Sequence, residues 1–226
     1  LSQIGSEMTR VDTEPRFARM LVEARSLGIE EDVALVIGMI QNARFNLVEK
    51  GSRITDSAFA RFIAPESDIR TRLNAWNEYV NDGVNKMSKS DREAWALRTK
   101  INTFGFFKAA MTRAEIVKNR NIPDSPIDTS PEHMAKIYQA IATGLIDNFI
   151  EYKNGAYQTL GGVNGIQIDR YNSVISGKKP LSFLSTNLRK TENGPIIAGL
   201  NFEIKFDDLK NAIPYLERVL ATEKPP

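Results

Sequence analysis

Basic and aromatic side chains alternate in one stretch of the chain, residues 86–120. This stretch holds nine Lys or Arg residues and three acidic ones, a surplus of six positive charges, whereas the rest of the chain has 21 basic and 25 acidic residues. Lys and Arg contact phosphate groups, and aromatic rings stack on nucleobases. The stretch therefore predicts a nucleic-acid surface. The alternative is a solvated helix face whose aromatic rings pack inward. The aromatic residues are Trp95, Phe104, Phe106 and Phe107.

Two groups of residues are candidates for nucleic-acid contacts. The first group supplies positive charge from the basic stretch. Its members are Arg98, Lys100, Lys108, Arg113 and Lys118. The second group lies on predicted strands and their turns, where aromatic, amide and arginine side chains commonly form a platform for single strands. Its members are Tyr157, Asn164, Gln167 and Arg170, of which Tyr157 fits a core position equally well.

Catalytic and metal-binding patterns do not appear in the sequence. The chain has no cysteine, which excludes a disulfide framework, a thiolate zinc site and a cysteine nucleophile. The single histidine, His133, falls in the first turn of a predicted helix, and we expect it at the surface. The glycines of residues 177–180 and 161–165 match neither a phosphate-binding loop nor a dinucleotide fingerprint. We therefore expect no cofactor in this chain.

Length and composition fit a globular chain that can fold without disulfide bonds or structural metal ions. With 226 residues and 42% apolar content, it can bury a sizeable core. No apolar run approaches the ~20 residues of a membrane span, so no membrane partner is expected. The net charge of +2 is too balanced to indicate a polyanion binder by itself. Since the chain begins at Leu1 without a signal peptide, we expect a segment of a longer intracellular protein.

Helical periodicity dominates the first 121 residues. Thr13 and Pro15 predict a helix start, Gly28 a helix end, and the acidic residues 30–32 a second helix. Further helices are predicted after Pro65 and over residues 91–119, and residues 46–55 are predicted as a loop. Pro123 and Pro126 predict a hinge, followed by a helix that carries Ile137, Ile141 and Leu145.

Short β-rich runs separated by glycine turns follow residue 148. They span residues 149–152, 156–160, 166–168, 181–184 and 196–202, and a last helix is predicted over residues 207–220. Asn154-Gly155 is a strong hairpin signal. Five short strands favour a small barrel of the OB type, with the edge of a sandwich as the alternative. The predicted fold class is α+β: an N-terminal helical bundle followed by a five-stranded OB-like β-barrel with flanking helices.

Three ordered blocks carry a family resemblance. They are LSQIGSEM at 1–8 with EPRFARML at 14–21, APESD at 64–68 with LNAW at 73–76, and IYQAIATGLIDN at 137–148. These blocks resemble the helicase-associated C-terminal region of DEAH-box ATP-dependent RNA helicases, which follows two RecA-like motor domains. The family's arginine-rich helix corresponds here to residues 107–116, which contain fewer basic residues.

The resemblance implies that this chain forms three parts of a longer protein, each with its own role. Residues 1–10 would be the tail of a winged-helix domain, residues 11–121 a helical ratchet-like bundle, and residues 122–226 an OB-fold domain with flanking helices. These parts would hold single-stranded RNA and offer the OB-fold to an activator protein. ATP and magnesium would be used by the motor domains of the parent protein, with no ATPase activity in this chain.

Two other functions compete with this one. The first is a protein-interaction scaffold whose barrel recruits a partner and contacts no nucleic acid; the weaker basic helix favours it. The second is an independent hydrolase, for which the sequence supplies no site beyond His133 and unpaired acidic residues.

Overall fold

Eight α-helices are present in the described part of the chain. The computed structural model describes residues 3–42, 54, 59–118, 121–192 and 194–213. The helices are α1 (Gln3–Met8), α2 (Pro15–Ser26), α3 (Glu30–Gln41), α4 (Asp68–Asn81), α5 (Lys89–Thr99), α6 (Thr103–Ile116), α7 (Pro131–Leu145) and α8 (Phe206–Ala212). The predicted loop at 46–55, apart from Ile54, and the end of the last predicted helix lie outside the described residues.

Side-chain caps set several helix starts. The hydroxyls of Ser67 and Ser130 accept hydrogen bonds from Arg70 N and His133 N, and they begin α4 and α7. Residues 91–119, predicted as one helical stretch, instead form the two helices α5 and α6. Lys100 ends α5 in a left-handed conformation, and Asn102 caps the new start at α6. The break was missed because no glycine or proline marks it.

Glycine allows two pairs of helices to pack very closely. A Cβ on Gly38 of α3 would lie 2.6 Å from the backbone oxygen of Ala109 in α6. A Cβ on Gly144 of α7 would lie 2.2 Å from the backbone oxygen of Arg16 in α2. Helices α3 and α7 therefore lie directly against the backbones of their neighbours, and a side chain at either position would separate them.

Five strands close into a barrel after α7. They are β1 (Phe149–Lys153), β2 (Ala156–Thr159), β3 (Ile166–Ile168), β4 (Ser182–Lys190) and β5 (Ile196–Glu203). The strand order is β1-β2-β3-β5-β4, with β4 pairing back to β1 and only the β3–β5 pair parallel. Asn154 and Gly155 form the two-residue β1–β2 turn with φ of +53° and +86°, as a type I′ turn requires. This architecture confirms the predicted α+β fold class. It also favours the OB-like barrel over the alternative, the edge of a sandwich.

Helix α7 connects the bundle to the barrel. One of its faces packs on α2, where Gln139 Nε2 donates to Glu23 Oε1 at 2.9 Å. Its Tyr138 ring stacks on Phe202 of β5 with centroids 4.3 Å apart. The predicted boundary at 121/122 groups α7 with the barrel, yet α7 contributes to a single apolar core that continues from the bundle into the barrel. The division into domains stays a prediction.

A buried carboxylate fastens α4 to the barrel. Asp68 lies in the first turn of α4 and is fully buried. Its Oδ2 accepts hydrogen bonds from Ser173 Oγ and Asn201 N, and its Oδ1 accepts one from Val174 N, each at 2.7 Å. Burial raises the pKa of the Asp68 carboxyl, while Arg72 and the three hydrogen bonds oppose that rise. We call these residues, with Arg72, the Asp68 joint.

None of the helices in the described residues is long and apolar enough to cross a membrane.

Candidate nucleic-acid interface

A row of side chains crosses the outside of the barrel. Gln167 of β3 lies opposite Ile197 of β5, and Ile197 lies opposite Arg189 of β4. Residues paired in this way share one face of a sheet. Gln167 and Arg189 are both exposed, so this face is the outer one. The barrel thus holds an amide and a guanidinium on either side of an apolar residue.

The loop that follows β3 adds an aromatic ring and a second guanidinium. Asp169 Oδ1 accepts hydrogen bonds from the backbone N–H groups of Tyr171 and Asn172, which fixes a tight turn. Asp169 N donates to Ala198 O of β5 at 2.9 Å and ties the turn to the sheet. The Arg170 guanidinium lies 5.0 Å from the centre of the Tyr171 ring, and Tyr171 is 46% exposed. Arginine and tyrosine therefore stand together at the surface.

The row of side chains on the strands and the loop after β3 enclose a surface cleft of about 410 Å³. We call it the barrel cleft, and its lining residues are Gln167, Ile168, Asp169, Arg170, Tyr171, Asn172, Arg189 and Ile197. Two guanidiniums can contact phosphates, an exposed tyrosine can stack on a base, and amides can bond to base edges. The sequence prediction included Gln167 and Arg170 but missed Tyr171 and Arg189. Only the strand register could have shown that Arg189 lies on the same face as Gln167, with Ile197 between them.

Tyr157 and Asn164 do not join this cleft. Tyr157 of β2 pairs with Ile166, the neighbour of Gln167 on β3, so the two predicted residues lie on opposite faces. The Tyr157 hydroxyl donates to Pro180 O at 3.2 Å, and its ring packs edge-on against Phe183. Burial raises the pKa of Tyr157. Asn164 is exposed in the β2–β3 loop, where its amide donates to Gly162 O.

The basic candidates of the bundle have different surroundings. Arg98 is exposed on α5, with Nη2 at 4.0 Å from Asp82 Oδ2. Lys100 is half-buried at the end of α5, and Lys118 is exposed just after α6. The Lys108 ammonium lies 5.6 Å from the centre of the Phe104 ring on the same helix. Arg120 lies outside the described residues. These cations can attract a polyanion, but they are not part of the barrel cleft.

Arg113 is a structural residue. It is 4% exposed, and its Nη2 donates to Asp124 Oδ1 at 2.8 Å and to Pro123 O at 3.4 Å. Pro123 and Asp124 belong to the connector between α6 and α7. Trp76 and Asn77 of α4 donate hydrogen bonds to backbone oxygens of the same connector, at residues 125 and 127. The predicted hinge region is thus attached to both α4 and α6. Arg113 cannot reach a phosphate at the surface, which corrects its assignment as a nucleic-acid contact.

His133 also differs from its prediction, because it is half-buried rather than exposed. Its Nε2 lies 2.8 Å from Asp32 Oδ2, and the contact joins the start of α7 to the start of α3. The Asp32 carboxylate belongs to the acidic first turn of α3, a partner too distant in sequence to be anticipated. Across the described residues, no group of three or more His, Asp or Glu side chains is arranged to hold a metal ion.

Comparison with known proteins finds RNA helicases over most of the chain. The ATP-dependent RNA helicase DHX33 of Mus musculus is 24% identical over 84% of the chain and 26% of its own length. HrpA of Escherichia coli, also an ATP-dependent RNA helicase, is 23% identical over 80% of the chain and 14% of its own length. DHX33 of Drosophila melanogaster is 21% identical over 97% of the chain. No protein-family model matches the chain.

The chain spans less than a third of the length of these relatives, so the match concerns one region of them. That region is consistent with the C-terminal part expected from the three sequence blocks and with the barrel that the structure contains. The resemblance predicted from the sequence is confirmed: over most of its length, this chain is similar to DEAH-box ATP-dependent RNA helicases.

Proposed function

We propose that this chain is the non-catalytic accessory region of an ATP-dependent DEAH-type RNA helicase, and that it binds single-stranded RNA through the barrel cleft. The observation that carries the proposal is the convergence of Arg170, Tyr171, Gln167 and Arg189 on one outer face of an OB-like barrel. The relatives that match the chain are RNA helicases, which supports RNA as the ligand.

Each cleft residue has a chemical role in this proposal. Tyr171 stacks on one base, because its ring is exposed and Arg170 covers part of it. Arg170 and Arg189 contact phosphates on either side, and Gln167 bonds to a base edge. The bundle cations Arg98, Lys100, Lys108 and Lys118 draw the strand in by long-range attraction, an effect that salt screens. All of these roles are binding roles, and none of them requires ATP hydrolysis by this chain.

The rest of the proposal concerns the parent protein. ATP and magnesium bind to RecA-like motor domains elsewhere in it, and the chain holds RNA while those domains advance the strand. The barrel also receives an activator protein. Both statements follow from the family resemblance, and they assign no further residue of this chain.

Fluorescence anisotropy with a labelled uridine 12-mer tests the proposed site. We expect R170E and R189E each to weaken binding at least about fivefold, and Y171A to weaken it about five- to 160-fold, the range that stacking contributes. Each lost phosphate contact should reduce the slope of log affinity against log salt by about 0.7. The control R10E makes the same charge change at an exposed position near the N-terminus and should leave affinity nearly unchanged.

Equal affinities for R170E, R189E and R10E would refute the barrel cleft as the RNA site. If K108E weakened binding while the three cleft variants did not, the strand would lie on the bundle instead. Absence of any binding at low salt, with protein partners still recovered after nuclease treatment, would favour the scaffold hypothesis.

A further inference from the structure

The outer face of α6 carries large apolar side chains. Phe104, Phe107 and Met111 are 64%, 48% and 42% exposed. They are spaced three and four residues apart, so they lie on one face of the helix. The opposite face, with Phe106 and Ala109, is already buried in the bundle core. Helix α6 is therefore apolar on two faces, whereas a surface helix needs only one apolar face to pack on its own domain.

Three lysines and one exposed glutamate, Glu115, lie on or near this apolar face. Lys108 lies on the same face, with its ammonium 5.6 Å from the centre of the Phe104 ring. Lys100 precedes the helix and Lys118 follows it, and the 14 residues between their flanking turns span about 21 Å. Both lysines adopt the left-handed conformation, with φ of +59° and +52°, which glycine or asparagine adopts more easily. The chain thus places a positive charge at each end of the helix despite the backbone cost.

An acidic amphipathic helix fits this face better than RNA does. Positive flanks attract either a phosphate backbone or acidic side chains, so the apolar residues decide between them. Met111 has no ring for base stacking, and Glu115, one turn further along the same face, is exposed and would repel a phosphate backbone. Apolar residues at positions i, i+3 and i+7 are the anchors by which one amphipathic helix packs against another.

We propose that the α6 face, formed by Phe104, Phe107, Lys108 and Met111, binds a helical segment of a partner protein. That segment has apolar residues at helical spacing and Asp or Glu residues beside them. The surface lies on the bundle and is separate from the barrel cleft. Lys108 also belongs to the cations that attract RNA in the proposed function, but Phe104, Phe107 and Met111 have no part in it. Variants of these apolar residues therefore test this proposal separately from the proposed function.

A phage-displayed library of random 16-residue peptides, selected on the 226-residue chain, provides the test. We expect enriched peptides with apolar residues at i, i+3 or i+4, and i+7, and with an excess of Asp and Glu. Synthetic copies of these peptides should bind F107E and M111E at least tenfold more weakly than the wild-type chain, and K108E several-fold more weakly. The matched control L181E places the same charge on an apolar side chain of the barrel that is 79% exposed, and should bind as wild type does.

Several outcomes would overturn the proposal. One is that no peptide is enriched, or that the enriched peptides are basic or lack the apolar spacing. Another is equal peptide affinity for F107E, M111E and L181E. Loss of uridine 12-mer binding in F107E and M111E would make the face an RNA surface. Dimerisation of the wild-type chain that F107E abolishes would make it a contact between copies. Thermal unfolding of each variant establishes that it is folded.

Discussion

Replacement of Asp68 by asparagine should destabilise the chain strongly, although the two side chains have nearly the same shape. The Asp68 carboxylate accepts three hydrogen bonds of 2.7 Å and lies beside the buried guanidinium of Arg72. Asparagine has only one acceptor oxygen, so its NH₂ group would face donors on the barrel. The change also removes the larger of the two negative charges that compensate Arg72 and leaves Asp169 as the other one.

The expected loss follows from the number of groups left unsatisfied. Each buried donor without an acceptor costs about 1–3 kcal/mol, and the weaker compensation of the buried Arg72 charge adds to that cost. We therefore expect D68N to lower the free energy of unfolding by about 3–5 kcal/mol, which moves the urea midpoint down by about 1–2 M.

Urea unfolding at pH 7, followed by tryptophan fluorescence and circular dichroism, measures this loss. Asp207 provides the matched control because it also lies in the first turn of a helix but is exposed. D207N should change stability by no more than about 0.5 kcal/mol. A D68N stability within about 1 kcal/mol of D207N would show that the Asp68 joint does not hold the barrel to the bundle.

Two further predictions concern single side chains. Burial raises the pKa of Tyr138 to about 12, so its neutral form is favoured in the folded chain, and stability should fall by up to about 3 kcal/mol as the pH rises from about 10 to 12. Y138F should lack this alkaline loss when urea unfolding is compared at pH 9 and pH 11.5, and equal losses would contradict the assignment. Lys118 has φ of +52°, so K118G should be more stable than K118A by about 1 kcal/mol in the same assay. A more stable K118A would show that the left-handed conformation carries no cost.

Local sequence signals predicted most of the barrel. The hairpin at Asn154-Gly155 and all five strands lie where residue type and turn chemistry indicate. The start of β4 differs by one residue, and the strand continues to Lys190, beyond the predicted end at 184. That extension matters because it brings Arg189 to the barrel cleft.

The same local signals could not predict contacts between residues that are far apart in the sequence. From the sequence alone, Arg113 is expected to be a surface cation. In the fold, the connector after α6 brings Asp124 into contact with it. His133 likewise acquires its partner Asp32 from a helix about a hundred residues earlier. In both cases a polar side chain was predicted to be exposed because its partner could not be identified without the tertiary fold.

The barrel cleft is attached to the bundle through the Asp68 joint. Ser173 N donates to Asp169 O, and the Ser173 hydroxyl donates to Asp68, so the turn that presents Arg170 and Tyr171 is anchored at one end by a helix of the bundle. Asp169 holds the other end through Ala198 of β5. Asn201 N of β5 donates to the same carboxylate, so Asp68 holds both this turn and the strand that carries Ile197. The fold thus ties both the loop side and the strand side of the proposed RNA site to α4 through one buried carboxyl group.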